Sequence, residues 1–209
     1  MQSLPLLLAF VAAASVLTLT PGVDTAMVLR AATVDGRRPA QMAALGIALG
    51  CLAWGAAVSL GLGALLQASE MAYTCVKVLG AAYLIWLGGK LILAPREVLS
   101  DEDRLEAPSD AGTAFFRGFL TNVLNPKIGI FYVTFLPQFV PLGANVAGHT
   151  FLLACIHVLL TLTWFGALIA ATVPLSHFLH RPTVVKTLDR VTGGVFIVFG
   201  LKIAGSTTR

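Results

Sequence analysis

The sequence predicts an all-α polytopic membrane protein: six transmembrane helices forming two inverted three-helix repeats, with the first and fourth helices broken. Three observations predict it. Hydrophobic residues are 57% of 209, about 119 side chains, nearly six times the roughly 20 that one spanning helix requires. Only 11% of the chain is charged and mean hydropathy is +0.86, more apolar surface than a soluble fold of this length can hide. The apolar residues also gather into six runs, approximately 4–29, 40–66, 71–93, 114–140, 146–173 and 184–204, each long enough to cross with some tilt. These features exclude a soluble domain, a disordered chain and a disulfide-stapled secreted module.

The first run could be mistaken for a signal peptide, but its first basic residue is Arg30 and the apolar stretch extends almost that far, so it reads as a retained span. A short basic turn leads to the second span, and Ser69-Glu70 turns the chain into the third. A polar linker, 94–113, carries six of the ten carboxylates without the spacing of a calcium loop. It divides a first repeat, 1–93, from a second, 114–209. A Pro/Gly turn joins spans four and five, and a His/Arg/Pro turn joins five and six.

With the N-terminus outside, ten basic residues fall at cytoplasmic loops and span ends, against Lys77, Lys202 and Arg209 outside, which places both termini outside the cytoplasm. A re-entrant first segment would move the N-terminus across. The net charge of +4 does not point to nucleic acid, because basic residues stand one to three at a time between apolar runs. No metal or cofactor is expected: Cys51, Cys75 and Cys155 lack metal-binding spacing and read as packing residues, and His177 with His180 make an incomplete zinc site.

The halves resemble each other when shifted. An offset of 112 sets Gly88 on Gly200, and one of 105 sets Thr20-Pro21-Gly22 on Asn125-Pro126-Lys127. Pro21 lies nine residues before Arg30 and Pro126 nine after Arg117, so each proline is roughly 13 to 14 Å deep, near the bilayer midplane. Three spans per half make the copies run in opposite directions, so two proline-broken helices meet the midplane from opposite sides, as in secondary transporters. Each proline frees the carbonyl four residues back, those of Leu17 and Asn122, which in hydrocarbon costs several kcal/mol unless satisfied. Thr20, Asn122 and Asn125 can supply hydrogen bonds there, and Gly22 loosens the backbone.

Asp24 reads as the only carboxylate in a span interior and Lys127 as the only cation at comparable depth. Each costs on the order of 2.5 to 3.5 kcal/mol near a helix centre, so they are expected to pair or to work. Asp24 would hold a substrate amine or a coupling proton, with Lys127 pairing it when the site is empty; a purely structural pair is the alternative. His157 reads as a histidine hydrogen-bonded across helices, with proton relay the sharper option.

Thr20-Pro21-Gly22-Val23-Asp24, Ala43 to Gly50, Lys77 to Leu84 with Trp86-Leu87-Gly88, Gly118 to Lys127, and Phe135-Leu136-Pro137-Gln138-Phe139 together resemble the LysE/RhtB family of amino-acid exporters. Val23 departs from the second proline usual in the first motif. The resemblance implies a multi-pass protein of the bacterial inner membrane that exports amino acids or close derivatives, driven by the proton gradient. Its RhtB-like branch implies homoserine, threonine and other neutral amino acids, with basic amino acids as the alternative. The expected partners are therefore an amino acid, protons and the lipid bilayer; a homo-oligomer is left open. An intramembrane enzyme would need Ser59 and His157 to meet, and nothing in the sequence brings them together.

Overall fold

The described part of each apolar run is helical, apart from the breaks near 20–22 and 124–125, in the computed structural model of the protein, which describes residues 3–68, 70–95, 110–141, 143–171 and 181–205. Most of the acidic linker, with Glu97, Asp101, Glu102, Asp103 and Glu106, lies outside the described residues, as do His177 and His180. Helix α1 (Ser3–Leu19) breaks before α2 (Val23–Arg30), which runs on through a π turn, Ala31–Asp35. Helices α3 (Arg37–Ala68) and α4 (Glu70–Leu93) follow. Beyond the linker, α5 (Ala111–Val123) breaks before α6 (Pro126–Ile130), which continues through a π turn, Phe131–Phe135, and a 3-10 turn, Leu136–Phe139. Helices α7 (Val146–Ala170) and α8 (Pro182–Gly205) complete the chain. Among the described residues there is no strand.

Two helices, α3 over Arg37–Gly61 and α7, are individually long and apolar enough to cross a membrane, and each broken pair meets the same criterion as one bent unit, up to four spans among the described residues. Pro21 and Pro126 bend their units almost equally, by 55° and 54°. Both π turns lie beyond these breaks, directly after α2 and α6. At the start of α5, Asp110 accepts a 2.7 Å hydrogen bond from the Thr113 amide. That bond, with others from Thr113 and Gly112, holds its carboxyl below the usual carboxylate range.

Burying apolar side chains gives little drive between helices in lipid, so the bundle depends on close backbone approach. A Cβ at Gly118 would collide with the Ala43 carbonyl, and one at Gly46 with that of Phe115, so α3 and α5 are locked along a glycine seam. Helices α4 and α8 pair in the same way and run antiparallel. A Cβ on Gly88 would sit 2.6 Å from the Gly193 carbonyl and 2.8 Å from Ile197, and one on Gly200 would sit 3.0 Å from the Ala81 carbonyl and 2.6 Å from Ile85.

The buried apolar side chains form two clusters. One gathers Phe10, Leu17, Cys51, Phe131, Phe135 and Phe139; the other gathers Val28, Leu29, Ala43, Ile47, Phe165 and Leu168. Both helix breaks fall at the seam between the clusters. Large apolar side chains such as Leu60, Met71, Leu93 and Leu124 remain on the outer surface, as expected of a chain solvated by lipid.

Gly118→Ala drives a methyl group into the α3 backbone, whereas at Gly61 nothing lies within 4 Å of the added carbon. Gly118→Ala is therefore expected to destabilise the bundle by about 1–3 kcal/mol or more, the usual range for overpacking, and Gly61→Ala to leave it unchanged. Thermal unfolding of the two variants in detergent checks this.

Candidate functional site

The two breaks satisfy each other. Pro21 has no N–H to offer the Leu17 carbonyl, and the Lys127 ammonium reaches across to donate to Leu17 at 3.5 Å and to the Thr20 carbonyl at 3.2 Å. Those carbonyls form the negative end of α1, so a cation there is favoured twice, by hydrogen bonding and by the helix dipole. Gly22 leaves room for it: an added Cβ would lie 3.7 Å from the Lys127 Nζ. On the other side, the Asn122 carbonyl freed by Pro126 accepts from the Asn125 amide at 3.0 Å. The Lys127 amide turns to the Asn125 side-chain oxygen at 3.0 Å, and the Val123 carbonyl this leaves is taken by the indole N–H of Trp54 at 3.2 Å.

Asp24 stands in the first turn of α2, where the helix dipole favours a carboxylate. Its Oδ2 accepts from the Asn122 amide at 2.8 Å and its Oδ1 from the Asn125 amide at 3.3 Å. Gly50 makes space for Asn122, since a Cβ there would come within 2.6 Å of the Asn122 Oδ1. The sequence expectation pairs Lys127 with Asp24; in the structure two amides donate to the carboxylate, and the ammonium, whose charge also acts on Asp24, donates to the end of α1. Thr20 donates to the Val16 carbonyl at 2.7 Å and is paired, hydroxyl to hydroxyl, with Thr192 on α8.

Thr20, Gly22, Asp24, Asn125 and Lys127 line one chamber of about 30 Å³, with His157 and Cys51 on its far walls. That is room for a water molecule or two. His157 is buried, and its Nδ1 pairs across helices with the Tyr132 hydroxyl at 2.9 Å. Ser59 does not join it: its hydroxyl donates within α3 to the Ala56 carbonyl at 3.0 Å, and it is absent from the chamber wall. No three His, Cys, Asp or Glu side chains among the described residues are grouped to hold a metal ion.

Asp24, Lys127, Thr20, Asn122, Asn125 and the breaks at Pro21, Gly22 and Pro126 thus come together at one place. Several buried polar positions were missed, among them Thr25 and Thr161, which line the chamber, and Asp189 and Thr192 on α8. Asp189 is 0% exposed although the sequence placed it near a span end, so Asp24 is not the only carboxylate buried within a helix. Thr192, one turn further along α8, is also fully buried. The available signal was their spacing, three apart on one helical face.

The chain matches the family described as LysE type translocator over residues 15–207. It is 32% identical over 203 residues to the uncharacterized membrane protein YrhP of Bacillus subtilis, covering 94% of this chain and 97% of that protein. It is 28% identical over 201 residues to a leucine efflux protein of Klebsiella pneumoniae, covering 94% and 93%. It is likewise 28% identical over 189 residues to a threonine efflux protein of Salmonella typhi, covering 88% and 90%. No solved structure matches the chain.

Lys127→Met removes the cap from the Leu17 and Thr20 carbonyls. It is expected to lower stability by about 1–3 kcal/mol, the cost of leaving a buried acceptor unsatisfied, whereas Lys127→Arg retains most of it. Unfolding of both variants in detergent, followed by circular dichroism, measures the difference.

Proposed function

The chain belongs to the LysE type translocator family, a membrane transporter rather than an enzyme, and we propose that it exports neutral amino acids or close derivatives from the cytoplasm across the bacterial inner membrane in exchange for protons. One observation carries this reading: a carboxylate and an ammonium, on two helix breaks, line the same buried chamber. Asp24 then takes the substrate ammonium, with Asn122 and Asn125 aiming its oxygens, and Lys127 takes the substrate carboxylate by giving up its hold on α1. A carboxylate that binds either an ammonium or a proton makes the two mutually exclusive, which is the requirement for exchange. Lys127 disfavours a second cation in the chamber, so a neutral side chain fits better than a basic one. The leucine and threonine efflux relatives support the same substrate class.

The chamber is too small for an amino acid, so loading requires one part of the bundle to move against another. We read the moving parts as two inverted three-helix halves, and the α4–α8 pairing supports it. The sequence offset of 112 carries Gly88 to Gly200, Ala81 to Gly193 and Ile85 to Ile197. It therefore converts the Gly88–Gly193 contact into Gly200–Ala81 and the Gly88–Ile197 contact into Gly200–Ile85, all of which occur. A two-fold relation between oppositely oriented halves produces such exchange of contacts. With the charge asymmetry of the loops it corresponds to six spans and both termini outside.

In proteoliposomes loaded with labelled leucine or threonine, an inward proton gradient should accelerate efflux from the wild-type protein and a protonophore should remove the acceleration. Asp24→Asn is expected to lower efflux by a hundredfold or more. Full activity in Asp24→Asn would sink the proposed site. Cysteines introduced at Arg37 and Ala144, in a chain whose native cysteines are replaced by serine, should be labelled from opposite sides of the membrane.

A further inference from the structure

A second cavity adjoins the polar chamber. It measures about 450 Å³ and lies between α3, α4 and the break of the second broken helix, within the roughly 300–1,000 Å³ typical of small-molecule pockets. Trp54, Tyr83, Val123, Ile130 and Val133 supply most of its wall, and it opens to the outer surface between Leu79 and Leu124, both largely exposed. Asn125 lines both cavities. Asn125, whose side-chain amide donates to Asp24, is therefore the residue that the polar chamber and the apolar one share.

Two of the polar groups along this wall are already engaged, while the Tyr83 hydroxyl also stands in it. The indole N–H of Trp54 is held by the Val123 carbonyl, and the Thr134 hydroxyl donates to the Ile130 carbonyl at 2.8 Å. The indole is seated against α6, where only glycine fits: a Cβ at Gly129 would lie 2.7 to 3.3 Å from three atoms of its six-membered ring. The pocket thus offers mainly apolar contact area, with the Tyr83 hydroxyl as its polar group away from Asn125, so an apolar side chain loses least on entering.

We propose that this cavity is the specificity subsite of the transporter: it receives the side chain of an amino acid whose ammonium is on Asp24, with Asn125 at the junction between backbone and side chain. The inference rests on the proposed amino-acid export and adds the residues that select among substrates. Leu79, Tyr83, Ile130 and Val133 set the length and width accepted, and Trp54 fixes the wall. The shared residue Asn125 argues for substrate over a lipid chain, because a lipid tail gains nothing from ending at the residue that holds the Asp24 carboxylate.

The test compares efflux of leucine and alanine from proteoliposomes containing the full chain, as wild type and as Val133→Phe, Leu79→Trp and Leu79→Ala. Filling the pocket with Val133→Phe or Leu79→Trp should lower the leucine-to-alanine rate ratio tenfold or more, within the 10–200-fold that one methylene commands in an apolar pocket. Leu79→Ala should raise the phenylalanine-to-leucine ratio. Because a ratio is read, a variant that merely inserts poorly lowers both rates and leaves the ratio at the wild-type value. Ratios within twofold of wild type in all three variants would overturn the subsite and assign the groove to lipid, while efflux that still depends on Asp24 would leave the export reading standing. Absence of amino-acid efflux from the wild type would overturn both.

Discussion

The Lys127 ammonium on the freed carbonyl of Leu17 is the contact on which the middle of this structure depends. A proline in the centre of a membrane helix creates an unsatisfied acceptor where no water is available, and an intramembrane lysine creates an unsatisfied cation. Either alone is a defect. Placed on opposite broken helices they cancel, and the contact ties the two breaks together. Trp54 plays the same part for the Val123 carbonyl, and Asn125 for both its own backbone turn and Asp24. The polar layer between the two apolar clusters is therefore built mostly from groups that the breaks themselves expose.

This construction makes the site conditional. Lys127 donates to the main-chain carbonyls of Thr20 and Leu17 at 3.2 and 3.5 Å, neutral acceptors that a charged ligand can displace. Substrate carboxylate is a stronger acceptor than a carbonyl. Its arrival removes the α1 cap at the same time as it fills the chamber, so in the proposed cycle binding is coupled to loosening of the first break. Asp24, in contrast, is held by neutral amides, which remain able to donate while an ammonium approaches the open side of the carboxylate.

Position along each helix was legible in the sequence and azimuth was not. The prolines, the two arginines nine residues away and the lone carboxylate fixed how far along its helix each group lies, which was enough to gather Thr20, Asp24, Asn122, Asn125 and Lys127 at one level. The partner of each group depends on how a helix is rotated about its own axis, and tertiary packing decides that. Asn122 is 98 residues from Asp24 and Thr20 is 172 from Thr192, with no local pattern linking them. Asp189 was misjudged for a related reason: distance from a span end measures depth, but one face of a helix near its end can still be sealed by its neighbours. The apolar subsite was invisible because Trp54, Tyr83 and Val133 are ordinary apolar-span residues until three elements place them around a common volume.

The seams also differ in a way that bears on direction. Under a two-fold relation of the halves, α3 against α5 corresponds to α7 against α1. The first pair is locked backbone to backbone through Gly46 and Gly118, over a longer stretch than α1 shares with α7. Helix α1 contains no glycine, and a Cβ at Gly166 of α7 would meet nothing within 4 Å, so that seam is made by side chains. Side-chain seams can part by changes of rotamer, whereas interlocked backbones must separate as bodies. With the proposed orientation, α5 lies toward the cytoplasm and α1 toward the outside. The end free to open first is then the outer one, which suits a protein that has closed behind an outbound substrate. Exchange of the two seams, with α7 tightening on α1 as α3 releases α5, would present the same chamber to the cytoplasm.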